Sequence, residues 1–99
     1  MENAKEFQNR LDAMLNKAVR DLAIDDATIA YKLLSRAVAY LCLEYKSKPN
    51  EDFDCWFDEL LRDGRKRLKM GNLCLCDILL ARGTHYYLKV IAKRYLNNP

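Results

Sequence analysis

Apolar residues recur at steps of three and four along nearly the whole chain, and only three glycines and two prolines interrupt 99 residues. That period belongs to an α-helix with one buried face, whereas a half-buried strand alternates every second residue. So few turn-forming residues also leave no room for the many tight turns of a β-sandwich. The expected fold is all-α: a compact antiparallel bundle of four helices, or five if the last segment divides.

The first helix is expected from Glu2 to Leu22, with Phe7, Leu11, Met14, Leu15, Ala18 and Leu22 on one stripe. Asp25 or Asp26 then stands where a cap is needed, since either carboxylate can accept free N–H groups of the next helix. That helix is expected from Ala27 to Lys46. Its apolar face takes in Ala30, Leu33, Leu34, Ala37, Val38, Leu41, Cys42 and Tyr45. Pro49 ends it by disfavouring helical geometry at Lys48. A third helix starts near Glu51 and carries Phe53, Trp56, Phe57, Leu60, Leu61 and Leu68 in phase. Gly64 falls on the same stripe, where it either admits a close neighbour or stops the helix early. Gly71-Asn72 is a clearer ending, glycine as terminator and asparagine as the next N-cap. The last segment, Leu73 to Asn97, keeps Leu75, Ile78, Leu79, Tyr86, Tyr87, Val90, Ile91 and Tyr95 on one stripe across Gly83. It reads as one helix, bent or divided at Arg82-Gly83-Thr84.

One domain spanning residues 1–99 is expected, because a chain this short rarely holds two cores. No stretch approaches the ~20 apolar residues that cross a bilayer, and the polar opening Met1-Glu2-Asn3-Ala4-Lys5-Glu6 is unlike a secretory leader. A cytoplasmic protein with no membrane association is the expectation. In that compartment Cys42, Cys55, Cys74 and Cys76 stay reduced. Cys74 and Cys76, the one close pair, turn ~200° apart on a helix, and Cys42 reads as a small apolar core residue. His85 is the single histidine. No phosphate-cradling glycine loop and no glycine-flanked nucleophilic serine occurs. Neither enzymatic activity nor a metal nor a cofactor is expected.

Charge is distributed unevenly. Residues 1–61 carry 8 basic and 12 acidic side chains, and residues 62–99 carry 9 and 2, within a total of +3. The acids Glu51, Asp52, Asp54, Asp58 and Glu59 open the third helix, where they complement its dipole, and Asp58 is spaced to pair with Arg62. Arg62, Arg65, Lys66 and Lys69 follow on one side of a continuing helix. Arg82, His85, Lys89 and Lys93 form a second ridge at helical spacing. Such ridges attract an acidic protein surface by electrostatic steering, or a phosphate backbone without sequence readout. They can equally pair with the chain's own acidic half.

A pI near 8.7 and the absence of helix-turn-helix or zinc-finger spacing favour a protein partner over nucleic acid. The expected function is that of a non-enzymatic adaptor or inhibitor binding a macromolecule through these eight residues. Direct, sequence-independent nucleic-acid binding by the same ridges is the alternative. Tyr40 and Leu43 lie off the main stripe of the second helix. That helix is either central in a monomer or packed against a second copy in a homodimer.

Overall fold

The computed structural model describes residues 2–42 and 51–97 as four helices: α1 (Glu2–Leu22), α2 (Asp26–Leu41), α3 (Asp52–Lys66) and α4 (Asn72–Asn97). No strand occurs among these residues. The protein is an all-α bundle of four.

α1 begins and ends where its periodicity predicts. It buries Phe7, Leu11, Leu15 and Ala18 completely. It stops as Ala23 turns left-handed at φ 53°, the conformation in which many helices reverse. Of the two candidate caps, Asp25 serves: its carboxylate accepts the Thr28 N–H at 2.8 Å. That hydrogen bond holds the Asp25 carboxyl below its ordinary pKa.

α2 buries Ile29, Ala30, Leu33, Ala37 and Tyr40. Val38, Leu41 and Cys42, all expected on that face, are exposed, while Tyr40, expected off it, is buried. The buried face centres on Leu33; at ~100° per residue, Tyr40 lies within ~20° of it and Val38 stands ~140° away. The expected continuation to Lys46, with Leu43, Tyr45 and the Pro49 break, lies outside the described residues.

α3 stops at Lys66, short of its apolar pattern. Arg67 N–H bonds to the Asp63 carbonyl at 2.9 Å, Leu68 N–H to the same carbonyl at 3.2 Å, and Met70 N–H to the Gly64 carbonyl at 2.9 Å. The turn thus widens residue by residue, until Lys69 takes φ 54°. This reversal lets Leu68 and Met70 both enter the core. Gly71 is not the terminator. Its φ is not positive, and its carbonyl accepts the Leu75 N–H in the first bond of α4, so it occupies the N-cap position expected of Asn72. Gly64, inside α3, is a close-packing residue. A Cβ there would meet the Phe7 ring at 3.0 Å and Leu75 Cδ2 at 3.4 Å.

α4 is one helix rather than two. A Cβ at Gly83 would stand 2.8 Å from Leu34 Cγ and Cδ2 and 3.3 Å from Leu33 Cβ. The missing side chain marks the point where α2 and α4 press together. Tyr87 and Tyr95, expected on the buried stripe, are exposed. At ~1.5 Å per residue α4 is ~39 Å long and α2 only ~24 Å. Lys93 already reaches Asp26, the first residue of α2, so Tyr95 lies past the end of α2.

Side-chain contacts order the helices. Asn3 reaches the Leu68 carbonyl, Arg10 reaches Asp63, and Lys17 lies over Trp56, so α1 and α3 are antiparallel. Cys76 Sγ donates to the Ala37 carbonyl at 3.2 Å, Gly83 meets Leu34, and α2 and α4 are antiparallel too. Between these pairs, Lys32–Asp54 at 2.9 Å and Arg36–Asp58 at 2.8 Å advance together. α2 therefore runs parallel to α3. Around the bundle the order is α1, α3, α2, α4. Parallel neighbours need a long connection, and ten residues, 42–51, separate α2 from α3.

Candidate functional site

The eight basic residues singled out in the sequence do not form one surface. Arg65 leans toward α2, its guanidinium 5.5 Å from the centre of the Tyr40 ring. Arg62 and Lys66 are exposed on the outer side of α3. Arg82 faces α1 instead, as its bond to Asp12 shows. The two ridges stand on opposite edges of the bundle, one between α3 and α2, the other between α4 and α1. Lys69 leaves its ridge as well, because α3 has ended three residues earlier.

Much of the second ridge is spent within the molecule. Arg82 donates twice to Asp12, at 2.8 and 3.0 Å, and Lys93 reaches Asp26 at 2.9 Å. The Lys89 ammonium sits 4.6 Å above the Tyr86 ring, and His85 meets that ring edge-on at 5.8 Å. Asp12, Asn16, Arg82, His85, Tyr86 and Lys89 line an open hollow of about 260 Å³ between α1 and α4. Burial pushes the Tyr86 phenol up from its ordinary pKa, with Asp12 acting in the same direction.

Arg62 and Lys66 of the first ridge, and Lys69 beyond its end, keep their charge. Asp58, the residue spaced to pair with Arg62, is 8% exposed and binds Arg36 instead. Asp63 is held by Arg67 and Arg10, which keep its carboxyl below the usual range. Arg67 also reaches Glu6. With those acids committed elsewhere, Arg62, Lys66 and Lys69 pair with no carboxylate among the described residues.

The α2/α3 seam is what the sequence reading missed. Lys32 and Arg36 stand one turn apart on α2, opposite Asp54 and Asp58 one turn apart on α3. Arg36 also lies 5.0 Å from the Phe57 ring centre. Burial raises the pKa of Tyr40 here, opposed by Arg65 and Arg36. The i,i+4 spacing on both helices was visible in the sequence, but nothing local said that the two helices are neighbours.

Trp56 sits at another margin. Its ring packs against the core, half-buried, with the Lys17 ammonium 4.4 Å above it. The indole and Lys17 help line a hollow of about 270 Å³ between α1 and α3. Full burial of an aromatic is worth ~3–5 kcal/mol on truncation; half-buried, Trp56→Ala should cost ~2 kcal/mol in urea unfolding. A loss below ~0.5 kcal/mol would mean that the ring does not pack on the core.

Cys74 and Cys76 both fall within α4. Among the described residues, no three His, Cys, Asp or Glu side chains gather to hold a metal ion, and no helix is long and apolar enough to cross a membrane. Comparison with known proteins gives no match: no family model, no curated protein and no solved structure is significantly similar to this chain.

Proposed function

We propose that the protein is a non-enzymatic interaction module, of adaptor or inhibitor type, that engages an acidic protein surface through the C-terminal end of α3. Arg62, Lys66 and Lys69 are its contacts, with Arg65 at the edge against Tyr40. One observation carries this reading. Arg62, Lys66 and Lys69 have no carboxylate partner among the described residues, while the neighbouring acids Asp58 and Asp63 are bound by Arg36, Arg10 and Arg67. Exposed charge of this kind steers association and makes it dependent on salt. Part of the ridge has a simpler use as well. Arg65 and Lys66 occupy the last turn of α3, where bases complement the helix dipole for ~0.3–1 kcal/mol each. Arg82 and Lys93 drop out of the binding set, because Asp12 and Asp26 already hold them.

The test is fluorescence anisotropy against labelled polyglutamate, random duplex DNA and single-stranded RNA, at low and near-physiological salt. The expected result is salt-sensitive binding of the acidic polypeptide. It should weaken at least ~10-fold in Arg62→Glu with Lys66→Glu and stay unchanged in Lys93→Glu. Tighter binding to DNA or RNA, lost in the same double variant, would assign the ridge to nucleic-acid backbones instead. Indifference of every probe to the double reversal would remove the ridge as a binding site.

A further inference from the structure

The outer side of the α2/α4 pair, away from the basic end of α3, is apolar and bare. Tyr31, Val38 and Leu41 on α2 and Leu73, Leu80 and Tyr87 on α4 are each between 47% and 74% exposed. Their register places them together. Gly83 against Leu34 and Cys76 against Ala37 fix the antiparallel pairing, and helical spacing then sets Leu80 near Val38, Leu73 near Leu41 and Tyr87 near Tyr31. These six side chains, with Leu88 beside them, present roughly 700 Å² of apolar surface, more than the largest patch on a typical monomer. A standard interface needs about 800 Å² from each partner.

The pattern along α4 says what covers it. Leu73, Asp77, Leu80, Thr84, Tyr87, Ile91 and Arg94 follow steps of four and three, the heptad rhythm by which one helix packs along another. Only two charges interrupt this stripe, and they are of opposite sign. If a second α4 crosses antiparallel about a two-fold axis between His85 and Tyr86, Asp77 meets the partner's Arg94, Leu80 the partner's Ile91 and Thr84 the partner's Tyr87. Each pairing occurs twice by symmetry, as an isologous contact requires. We infer that the protein forms a two-fold homodimer, with α4 of each copy seated along the α2/α4 seam of the other and Tyr31 and Val38 as the far wall. This inference stands apart from the proposed function. It uses a different face and leaves the end of α3 open, so that the dimer would present two basic patches.

Sedimentation velocity and light scattering should find a species of twice the chain mass at concentrations near ~10 µM. Leu80→Glu with Tyr87→Glu should yield a monomer with an unchanged helical circular-dichroism spectrum. Asp77→Arg places like charges opposite one another and should weaken association at least ~10-fold. Adding Arg94→Asp should restore it, a rescue that a folding defect would not show. A monomer at ~100 µM, or a dimer indifferent to Leu80→Glu with Tyr87→Glu, would overturn the inference. Failure of the charge swap to restore association would overturn the antiparallel register.

Discussion

Phe7→Ala should lower the free energy of unfolding by about 4 kcal/mol, the largest single effect expected in this protein. The ring is fully buried, and it fills the space left by the absent side chain of Gly64, beside Leu75. Three helices, α1, α3 and α4, therefore meet at one aromatic side chain. Truncation removes the transfer energy of the ring and leaves a cavity that those three backbones cannot all close. The same geometry predicts coupling. Gly64→Ala alone drives a methyl group to 3.0 Å from the ring and destabilises despite the better helix propensity of alanine. In the Phe7→Ala background that methyl enters empty space, so the double variant should be more stable than Phe7→Ala by roughly 1 kcal/mol. Urea denaturation measures both. A cost below ~1 kcal/mol for Phe7→Ala would show that the joint does not depend on the ring.

Asp58→Ala is the second large effect, with about 3–4 kcal/mol of stability expected to be lost. Removal of the carboxylate takes from the Arg36 guanidinium, only 15% exposed and packed on Phe57, its ion pair with Asp58. Removing one member of a buried pair costs far more than the pair contributes net. Replacing both residues, Arg36→Met with Asp58→Leu, should therefore recover most of the loss. The exposed pair Lys93–Asp26 supplies the contrast: at 68% exposure of Lys93, Lys93→Ala should cost no more than ~0.5 kcal/mol. Equal losses at the two sites would contradict the assignment of Arg36–Asp58 as the buried bridge between α2 and α3.

The candidate site was legible only in part, and the reason is geometric. Spacing correctly put Arg62 and Lys66 on one exposed side of α3, because three- and four-residue steps are local. It could not reveal that Asp58, one turn earlier, turns inward to Arg36 on another helix. Nor could it reveal that Arg82 and Lys93 find Asp12 and Asp26, 70 and 67 residues away. Charge counted along a chain does not say which charges cancel in space.

Residues within four positions of one another determine whether a segment is helical, and on that ground the sequence alone determined an all-helical chain, the extent of α1 and the cap at Asp25 or its neighbour, while leaving the last segment as one helix or two. Tertiary structure decided the rest. It chose the face of α2 centred on Leu33, where Gly83 of α4 lets Leu33 and Leu34 approach closely. It ended α3 at Lys66 because Leu68 and Met70 both gain burial only if the backbone reverses at Lys69. It also set α2 parallel to α3, and in doing so divided the basic residues between two edges of the bundle. Each of these outcomes turns on contacts between residues far apart in the chain, whose energies exceed the small local preferences that a sequence displays.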